Sequence, residues 1–242
     1  MSNQELKMKD SVFRTLEYMR QNQRCQEHLA TLGLDLSNQS VLEVGSGVGD
    51  HTTYFTDRGC AVVSVEARLE NCQFALDSFK NSGYQNEIDL KIIHCEVANI
   101  GERIEGLFDI VYCYGLLYHL ADPENALKLM AGRCRGMLLL ETCVSFGTGE
   151  SINRIAEDKT ALDQSFHGRG CRPTRPWVFN RLNEIFEYVY VPRTQPAHER
   201  FPIDWSCDPP PDVLTRAVFV ASRHRLDNPA LLDFLPEKQR YC

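Results

Sequence analysis

Short apolar segments alternate with longer segments of mixed polarity between residues 39 and 142. The apolar segments are rich in Val, Ile and Leu, which is typical of buried strands, and the segments between them have helical spacing. We predict strands at residues 40–44, 60–65, 90–95, 108–114 and 137–142, and helices at 51–58, 69–82 and 123–133. Such alternation is typical of an α/β fold in which helices cover both faces of a parallel sheet.

The pattern changes on both sides of this core. Residues 4–32 have a loose helical period, so we predict an N-terminal helical extension over residues 1–38 and a single domain over 39–242. After Thr142 regular spacing is lost. We predict two irregular insertions at 145–175 and 192–211, the first with a short helix near 152–158, followed by a helix from 175 and strands at 187–191 and 217–221.

Composition narrows the class of protein. The chain has 242 residues, a net charge of −7 and a sequence pI near 5.5, which disfavours binding to nucleic acid through bulk electrostatics. No apolar run approaches the ~18 residues of a membrane span, and the first residues lack the apolar core of a signal peptide, so we expect a cytoplasmic chain without membrane contact. The ten cysteines have no zinc-like spacing. We expect buried free thiols, with Cys171 and Cys207 the more exposed ones.

A glycine-rich loop, Glu43-Val44-Gly45-Ser46-Gly47-Val48-Gly49, follows the first predicted strand and opens a helix. Small residues there let the backbone approach a ligand, and the first amides of the helix face it. The dinucleotide pattern G-x-G-x-x-G would need glycine at position 50, which is Asp50. The loop therefore argues against a nicotinamide dehydrogenase.

Further segments follow in order: Val62-Val63-Ser64-Val65-Glu66, His94-Cys95-Glu96-Val97, Phe108-Asp109-Ile110-Val111, and the run from Tyr114 to Leu120. With the glycine loop, they make the chain resemble class I S-adenosylmethionine-dependent methyltransferases. The resemblance implies a Rossmann-like, doubly wound, mostly parallel seven-stranded sheet with an antiparallel last strand. It also implies S-adenosylmethionine as the cofactor.

The same resemblance assigns roles to residues. The glycine loop would hold the methionine part of the cofactor, Glu66 both ribose hydroxyls, and Glu96 the adenine amino group. A carboxylate at the tip of the second strand suits the ribose. The predicted cofactor-binding residues are Glu43, Gly45, Ser46, Gly47, Gly49, His51, Thr52, Glu66, Ala67, Glu96, Val97, Tyr114 and Leu117.

Methyl transfer is an in-line displacement, so the protein mainly aligns the acceptor and excludes water. A general base is needed only if the acceptor must lose a proton. The candidate catalytic residues are His119, Glu141 and His167. His119 is either a base near the reactive methyl or a packing position, and Glu141 either faces the acceptor or holds an arginine. No pair of carboxylates has the spacing of a metal-dependent methyltransferase, so we predict no metal.

Acceptors of doubly wound folds bind beyond the carboxyl ends of the strands, which points to the two insertions. Between Asp163 and Glu184 there is no acidic residue, while several basic residues occur there and shortly after: Arg169, Arg172, Arg175, Arg181, Arg193, His198 and Arg200. They either face a small anionic acceptor or pair with the acidic body of the protein. We predict Tyr118, Arg172, Arg175 and His198 as acceptor-binding residues, with aromatic walls from Trp177, Phe201 and Trp205.

The leading hypothesis is methyl transfer to an O or N atom of a small molecule. A narrower similarity, over Tyr114 to Leu120 and Leu138 to Thr142, is to methyltransferase-like enzymes that modify the wobble uridine of transfer RNA. RNA modification is therefore the alternative, although the acidic chain makes a nucleic-acid partner the weaker choice. A third reading is a cofactor-binding protein without catalysis.

Overall fold

A mostly parallel central sheet organises the chain in a computed structural model, which describes residues 12–82, 89–207 and 214–242. The strands β1 to β5 are Ser40–Val44, Ala61–Glu66, Leu90–His94, Phe108–Tyr114 and Cys134–Cys143. The strands β6 to β12 are Ile152–Ala156, Arg169–Pro173, Tyr188–Pro192, Thr194–Gln195, Arg216–Ser222, Leu231–Leu232 and Arg240–Tyr241. The helices α1 to α6 are Leu16–Thr31, Thr52–Thr56, Leu69–Asn81, Ile100–Arg103, Pro123–Ala131 and Arg175–Asn183.

The strand order in the central sheet is β11-β8-β10-β5-β4-β1-β2-β3. Strands β1 to β5 are parallel to their neighbours, whereas β10 runs antiparallel to both β5 and β8. The predicted Rossmann-like sheet with its antiparallel last strand is thus confirmed, and the short strand β11 adds an eighth strand at the edge. The order reverses between β1 and β4, which is where doubly wound folds bind ligands.

Alternation along the strands sends side chains to both faces of the sheet, because successive residues of a strand point in opposite directions. In β4, Ile110 and Tyr112 pack with residues of α1 and α2, while Val111 and Cys113 pack with residues of α5 and α6. Glu43 in β1 has the same parity as Val41, which belongs to the α1 and α2 side. That face therefore carries a buried carboxyl close to the apolar cluster.

The first predicted insertion is built on a hairpin. Residues 152–158 are not a helix: β6 pairs antiparallel with β7, from Ile152 opposite Pro173 to Ala156 opposite Arg169. The spacing of Ile152 and Ile155 imitates one helical turn, but hydrogen bonding to β7 decides the conformation. The segment 157–168 joins the two strands.

Other parts of the outer chain differ in smaller ways from the sequence-based picture. The predicted N-terminal extension contains a 3-10 turn at Val12–Arg14 and helix α1; its first eleven residues, and residues 208–211 of the second insertion, lie outside the described part. Cys171 is buried in β7 rather than exposed, while Cys207 is exposed. Among the described helices, none has the length and apolarity of a membrane span.

Candidate functional site

A cavity of about 240 Å³ opens at the carboxyl ends of β1, β2, β4 and β5. Its walls also include one face of α1, the segment between β6 and β7, and the start of β10. The predicted site residues that line it are Glu43, Gly45, Ser46, Gly47, His51, Glu66, Ala67, Glu96, Val97, Tyr114, Tyr118, His119, Glu141, His167 and Arg172. The structure therefore brings most of the predicted site into one cavity.

The loop after β1 reaches the cavity with its backbone. Gly45 has a φ of +78° and Gly47 a φ of +55°, in the region that favours glycine. A Cβ atom on Gly45 would lie 2.8 Å from the side chain of Leu116, so the loop packs closely against the turn after β4. The buried hydroxyl of Ser46 has no hydrogen-bond partner and is available to a ligand. Gly49 lies outside the cavity and packs against helix α3.

Glu43 lies beneath this loop with its carboxyl group fully enclosed. Its Oε2 accepts hydrogen bonds from Thr52 Oγ1 at 2.5 Å and from Ser64 Oγ at 3.0 Å. Burial raises the pKa of Glu43 to about 7, although both hydrogen bonds favour the ionised form. Thr52 was predicted to contact the cofactor, but it is buried outside the cavity lining and orients Glu43 instead.

Glu66 ends β2 at the rim of the glycine loop. Its carboxylate accepts hydrogen bonds from the backbone of Gly47 at 3.0 Å and Arg68 at 2.9 Å, and from Asn71 Nδ2 at 3.3 Å. Burial raises the pKa of Glu66, while these donors oppose the shift. The side chain is therefore fixed in position at the strand tip, where the sequence predicts a ribose contact.

Glu96 follows β3 and meets a residue from the segment between β6 and β7. His167 Nε2 lies 2.7 Å from Glu96 Oε2, and its side chain is two-thirds exposed. His167 thus stands at the same end of the cavity as Glu66 and Glu96, away from the turn after β4. That position does not favour the catalytic role predicted for it.

The turn after β4 forms the opposite part of the cavity. His119 lines it, and its Nδ1 lies 2.5 Å from Oε2 of Glu157, a carboxylate that the sequence-based reading missed. Burial disfavours the ionised Glu157, but the contacts with His119, Ser165 and Arg172 outweigh it and lower the pKa of this carboxyl. Leu117 was predicted to contact the cofactor; it is fully buried in the core, and Leu116 lines the cavity instead.

A buried charge pair closes the far end. Arg216 Nη1 lies 2.9 and 3.0 Å from the two carboxylate oxygens of Glu141, and Arg216 Nη2 donates to the hydroxyl of Tyr118 at 2.7 Å. Burial opposes the charge of Arg216, yet its acidic neighbours raise its pKa. Arg216 Nε is buried without a hydrogen-bond partner. A single arginine at the start of the otherwise apolar strand β10 was the sequence signal for this residue.

Aromatic residues cover the remaining floor. The rings of Tyr112 and Tyr114 are stacked with centroids 4.3 Å apart, and Tyr112 OH lies 2.6 Å from His51 Nδ1. Burial lowers the pKa of His51 to about 4, so its imidazole is neutral at pH 7. The hydroxyl of Tyr114 is buried and has no partner.

Comparisons with known proteins agree with this geometry. Residues 42–135 match the family model of a methyltransferase domain. The resemblance to class I S-adenosylmethionine-dependent methyltransferases is thereby confirmed for this part of the chain.

Individual relatives match about half of the chain. A ubiquinone biosynthesis O-methyltransferase of Psychrobacter arcticus is 29% identical over 124 residues, which are 48% of this chain and 48% of that protein. A tRNA U34 carboxymethyltransferase of Actinobacillus succinogenes is 32% identical over 136 residues, 54% of this chain and 39% of the relative. The chain thus spans about half, or less, of the length of these two relatives.

A solved structure extends the likeness of fold beyond the matched segment. The N-terminal domain of EvdMO1, crystallised in the presence of S-adenosylhomocysteine and D-fucose, superposes with a TM-score of 0.63 at 19% identity. The alignment covers 93% of this chain and 98% of that one. The shared fold includes the outer elements that flank the matched segment 42–135.

The structure does not gather the predicted acceptor-binding cations at the cavity. Arg172 lines the cavity, but its Nη1 donates to the carbonyls of Cys171 and Tyr118 and contacts Glu157. Arg175 lies elsewhere: it donates to the carbonyl of Pro236 and stacks over a tryptophan, and burial lowers its pKa to about 10. Arg172 thus has an acidic partner, as the second interpretation of these arginines expects, whereas Arg175 contacts a carbonyl and an aromatic ring.

The predicted acceptor-binding histidine and aromatic walls do not line the cavity. His198 is buried, does not line the cavity, and accepts a hydrogen bond from the backbone of Arg200 at 3.2 Å. Trp177 and Phe201 are buried in the core, and Trp205 stacks on Phe146 with centroids 5.0 Å apart. Burial of apolar area, rather than contact with an acceptor, accounts for these aromatic positions.

Helix α1 supplies cavity residues that sequence reasoning missed. Tyr18, Gln21, Asn22 and Cys25 line the cavity from one face of this helix. These residues are three and four positions apart, which is typical of one helix face. The prediction considered apolar positions only and therefore missed this mostly polar face. Arg200 joins them, because its Nη1 donates to Gln21 Oε1 at 3.2 Å.

Proposed function

We propose that the chain is an S-adenosylmethionine-dependent methyltransferase that methylates an O or N atom of a small acceptor. One observation carries the proposal: a single cavity joins the glycine loop and Glu66 to two buried polar atoms without partners, Tyr114 OH and Arg216 Nε. A buried polar atom without a partner is costly, so a ligand that supplies one gains affinity. The two ends of the cavity fit a cofactor and an acceptor.

The residues at the first end fit S-adenosylmethionine. The backbone of Gly45 to Gly47 and the Ser46 hydroxyl would hold its amino-acid part, Glu66 the ribose hydroxyls, and Glu96 with Val97 the adenine ring. The donors around Glu66 come from the backbone of the glycine loop and from Asn71, so the carboxylate is held ready for a hydroxyl pair. When bound, this cofactor supplies an electrophilic methyl group on a sulfonium centre.

The other end fits a compact acceptor that presents an oxygen or nitrogen lone pair. Arg216 Nε can only donate a hydrogen bond, whereas the Tyr114 hydroxyl can donate or accept. The positive charge of Arg216 is balanced by Glu141, and that of Arg172 by Glu157. We therefore propose that the acceptor is recognised through directed hydrogen bonds more than through net negative charge.

His119 is the proposed proton acceptor. A carboxylate can only accept hydrogen bonds, so the contact of Glu157 with Nδ1 assigns the Nδ1 proton and leaves Nε2 with its lone pair in the neutral imidazole. Nε2 would take the proton that an O–H or N–H acceptor releases as the methyl group passes from the cofactor sulfur to the acceptor atom, which would leave S-adenosylhomocysteine. Glu141 is less suited, because its carboxylate is held by Arg216.

Calorimetric titration with S-adenosylhomocysteine, followed by a labelled methyl-transfer assay on the small-molecule fraction of a cell extract, tests the proposal. We expect saturable binding and label in that fraction. Binding without label in any fraction would favour a cofactor-binding protein without catalysis. No binding would overturn the proposed function.

Modification of transfer RNA is the second candidate, supported by the relatives named tRNA U34 carboxymethyltransferase. The net charge of −7 weighs against it, because RNA binding draws on cationic surfaces. Nuclease treatment of the extract before the assay separates the two candidates. Loss of label after this treatment would favour RNA over a small molecule.

A further inference from the structure

The segment 157–168, here called the strap, crosses one end of the cavity between β6 and β7. Its residues Leu162, Asp163, Gln164, Ser165, Phe166 and His167 line the cavity next to Glu66 and Glu96. The strap lies outside the matched family segment, which ends at residue 135. Its role therefore has to be derived from its own contacts.

Two buried side chains hold the strap from the side of α3. Arg68 Nη2 lies within 3.0 to 3.3 Å of the backbone carbonyls of Lys159, Gln164 and Ser165. Asn71 Nδ2 lies 3.1 Å from the carbonyl of Leu162 and 3.3 Å from Glu66 Oε1. The carboxylate assigned to the ribose and the strap thus share one amide group.

Glu157 holds the strap from the side of the β4 turn. Its side chain is only 2% exposed, and Oε2 accepts from the backbone N–H of Ser165 at 2.7 Å as well as from His119. Its Oε1 lies 3.4 Å from Arg172 Nη1. One carboxylate therefore connects the strap to the imidazole that faces the acceptor.

Gly170 in β7 makes room for this carboxylate. A Cβ atom at position 170 would lie 2.4 Å from Glu157 Oε1 and 2.7 Å from the carbonyl of Tyr118. The side chain of Glu157 could not keep its place beside any larger residue there. Glycine at position 170 is thus required for the observed position of the Glu157 side chain.

We propose that the strap closes the nucleoside end of the cavity and that Glu157 is the positioning residue that couples its closure to the orientation of His119. The inference rests on the proposed function in so far as it names the cofactor. A strap held by buried bonds from both sides opens only when those bonds break, so cofactor exchange requires local opening. Glu157 does not touch the cofactor; it acts through Ser165 and His119.

Hydrogen exchange of the ligand-free protein tests the first half of the proposal. Glu157→Gln keeps the shape and one carbonyl oxygen but removes the charge that Ser165, His119 and Arg172 share. We expect the amides of residues 159–168 to exchange about tenfold faster than in the wild type, the effect of losing one or two such bonds. Glu150→Gln is the matched control, because Glu150 is a more exposed glutamate that contacts Asn180 and Arg181 outside the cavity.

Two further readouts separate positioning from general structural loss. S-adenosylhomocysteine should bind Glu157→Gln about tenfold more weakly, the effect of one charge-assisted hydrogen bond. The His119 Nδ1 proton, held by the Glu157 carboxylate, should give a downfield proton resonance in the wild type and in Glu150→Gln but not in Glu157→Gln. If Glu157→Gln does not fold, Arg68→Lys tests the strap from its other side, since the ammonium cannot span all three carbonyls.

The outcomes are distinct. If the amides of residues 159–168 exchange at the wild-type rate in the folded Glu157→Gln and Arg68→Lys variants, the proposed closure by the strap is overturned. Faster exchange together with unchanged affinity for S-adenosylhomocysteine would overturn the coupling to the cofactor end. If the wild type binds no S-adenosylhomocysteine although Glu157→Gln speeds the exchange of the strap, the proposed function and its cofactor are overturned. The role of Glu157 in holding the strap would still stand.

Discussion

Arg216 and Glu141 are diagonal neighbours on the antiparallel strands β10 and β5, with Arg216 Nη1 2.9 Å from Oε1 and 3.0 Å from Oε2 of the carboxylate. Both side chains are at least 95% buried. A buried pair of this kind gains little over an apolar pair, but a single remaining partner is an uncompensated charge. The pair therefore holds the side chains at the proposed acceptor end in place, and replacement of either residue alone is expected to destabilise the fold.

Removal of one partner should destabilise the fold strongly. We expect Arg216→Met or Glu141→Gln to lower the free energy of unfolding by about 3–5 kcal/mol, and the double variant to lose much less than the sum. Urea denaturation of the four proteins measures this coupling. Additive losses would contradict a direct interaction.

The buried carboxyl of Glu43 should make stability depend on pH. Its pKa is raised from 4.5 to about 7, so between these values the folded state keeps a proton that the unfolded chain has released. The stabilisation is present below pH 4.5 and is lost as the pH rises through 7, a change of about 3 kcal/mol at 1.36 kcal/mol for each pKa unit.

Glu43→Gln isolates this contribution, because glutamine keeps the shape without the titration. Between pH 5 and pH 8, the unfolding free energy of the wild type should fall relative to that of Glu43→Gln. Urea denaturation at each pH measures both. Glu150→Gln serves as the exposed control. Parallel pH profiles for wild type and Glu43→Gln would argue against a raised pKa.

Replacement of Gly45 should be harmful for two reasons, backbone strain and contact with a neighbouring side chain. Gly106 is a matched glycine that tests the backbone strain alone. Gly45 and Gly106 have φ values of +78° and +80°, but only at Gly45 would a Cβ meet another side chain, that of Leu116 at 2.8 Å. We expect Gly106→Ala to cost about 1–2 kcal/mol of unfolding free energy from backbone strain alone. Gly45→Ala should cost more and also abolish S-adenosylhomocysteine binding in calorimetry; equal costs with binding intact would exclude the close approach.

Glu66→Gln should weaken the binding of S-adenosylhomocysteine by about 10- to 100-fold, because hydrogen bonds to a charged acceptor contribute ~1.5–3 kcal/mol. Calorimetric titration checks this. Glu70→Gln, an exposed change on the following helix, should bind as the wild type does. Equal affinities of the two variants would remove Glu66 from the cofactor site.

His119→Gln should slow methyl transfer more than it weakens cofactor binding. Loss of a general base lowers the rate by about 100- to 10,000-fold, whereas the Glu157 bond to the strap remains. Turnover with a fractionated acceptor and the Kd for S-adenosylhomocysteine are the two readouts. Unchanged turnover would mean that the acceptor needs no base, or that the base lies elsewhere.

The parts of the molecule that sequence alone predicted are those held by local rules. The glycine loop needs positive φ angles, and strands β1 to β5 carry the apolar runs that a doubly covered parallel sheet requires. The positions of Glu66 and Glu96 at strand ends were predicted through the resemblance to the family. Each of these features depends on neighbours within a few residues of the chain.

The residues of the proposed acceptor end are brought together by contacts between distant parts of the chain, so the sequence did not predict most of them. Arg216 meets Glu141 across 75 residues of sequence, and Glu157 meets His119 across 38. Nothing near Arg172 or Arg175 in sequence indicates that carbonyl groups already satisfy them. The β6 and β7 hairpin was likewise invisible, because its pairing is a tertiary property and its isoleucine spacing imitates a helix.

The position of β10 between β5 and β8 has a consequence for the history of such chains. The proposed cofactor end is drawn mainly from residues 43 to 97. The proposed acceptor end combines α1, which precedes that stretch, with Glu141, Arg200 and Arg216, which follow it. Divergence at the two extremities could therefore exchange one acceptor for another without disturbing the nucleoside contacts.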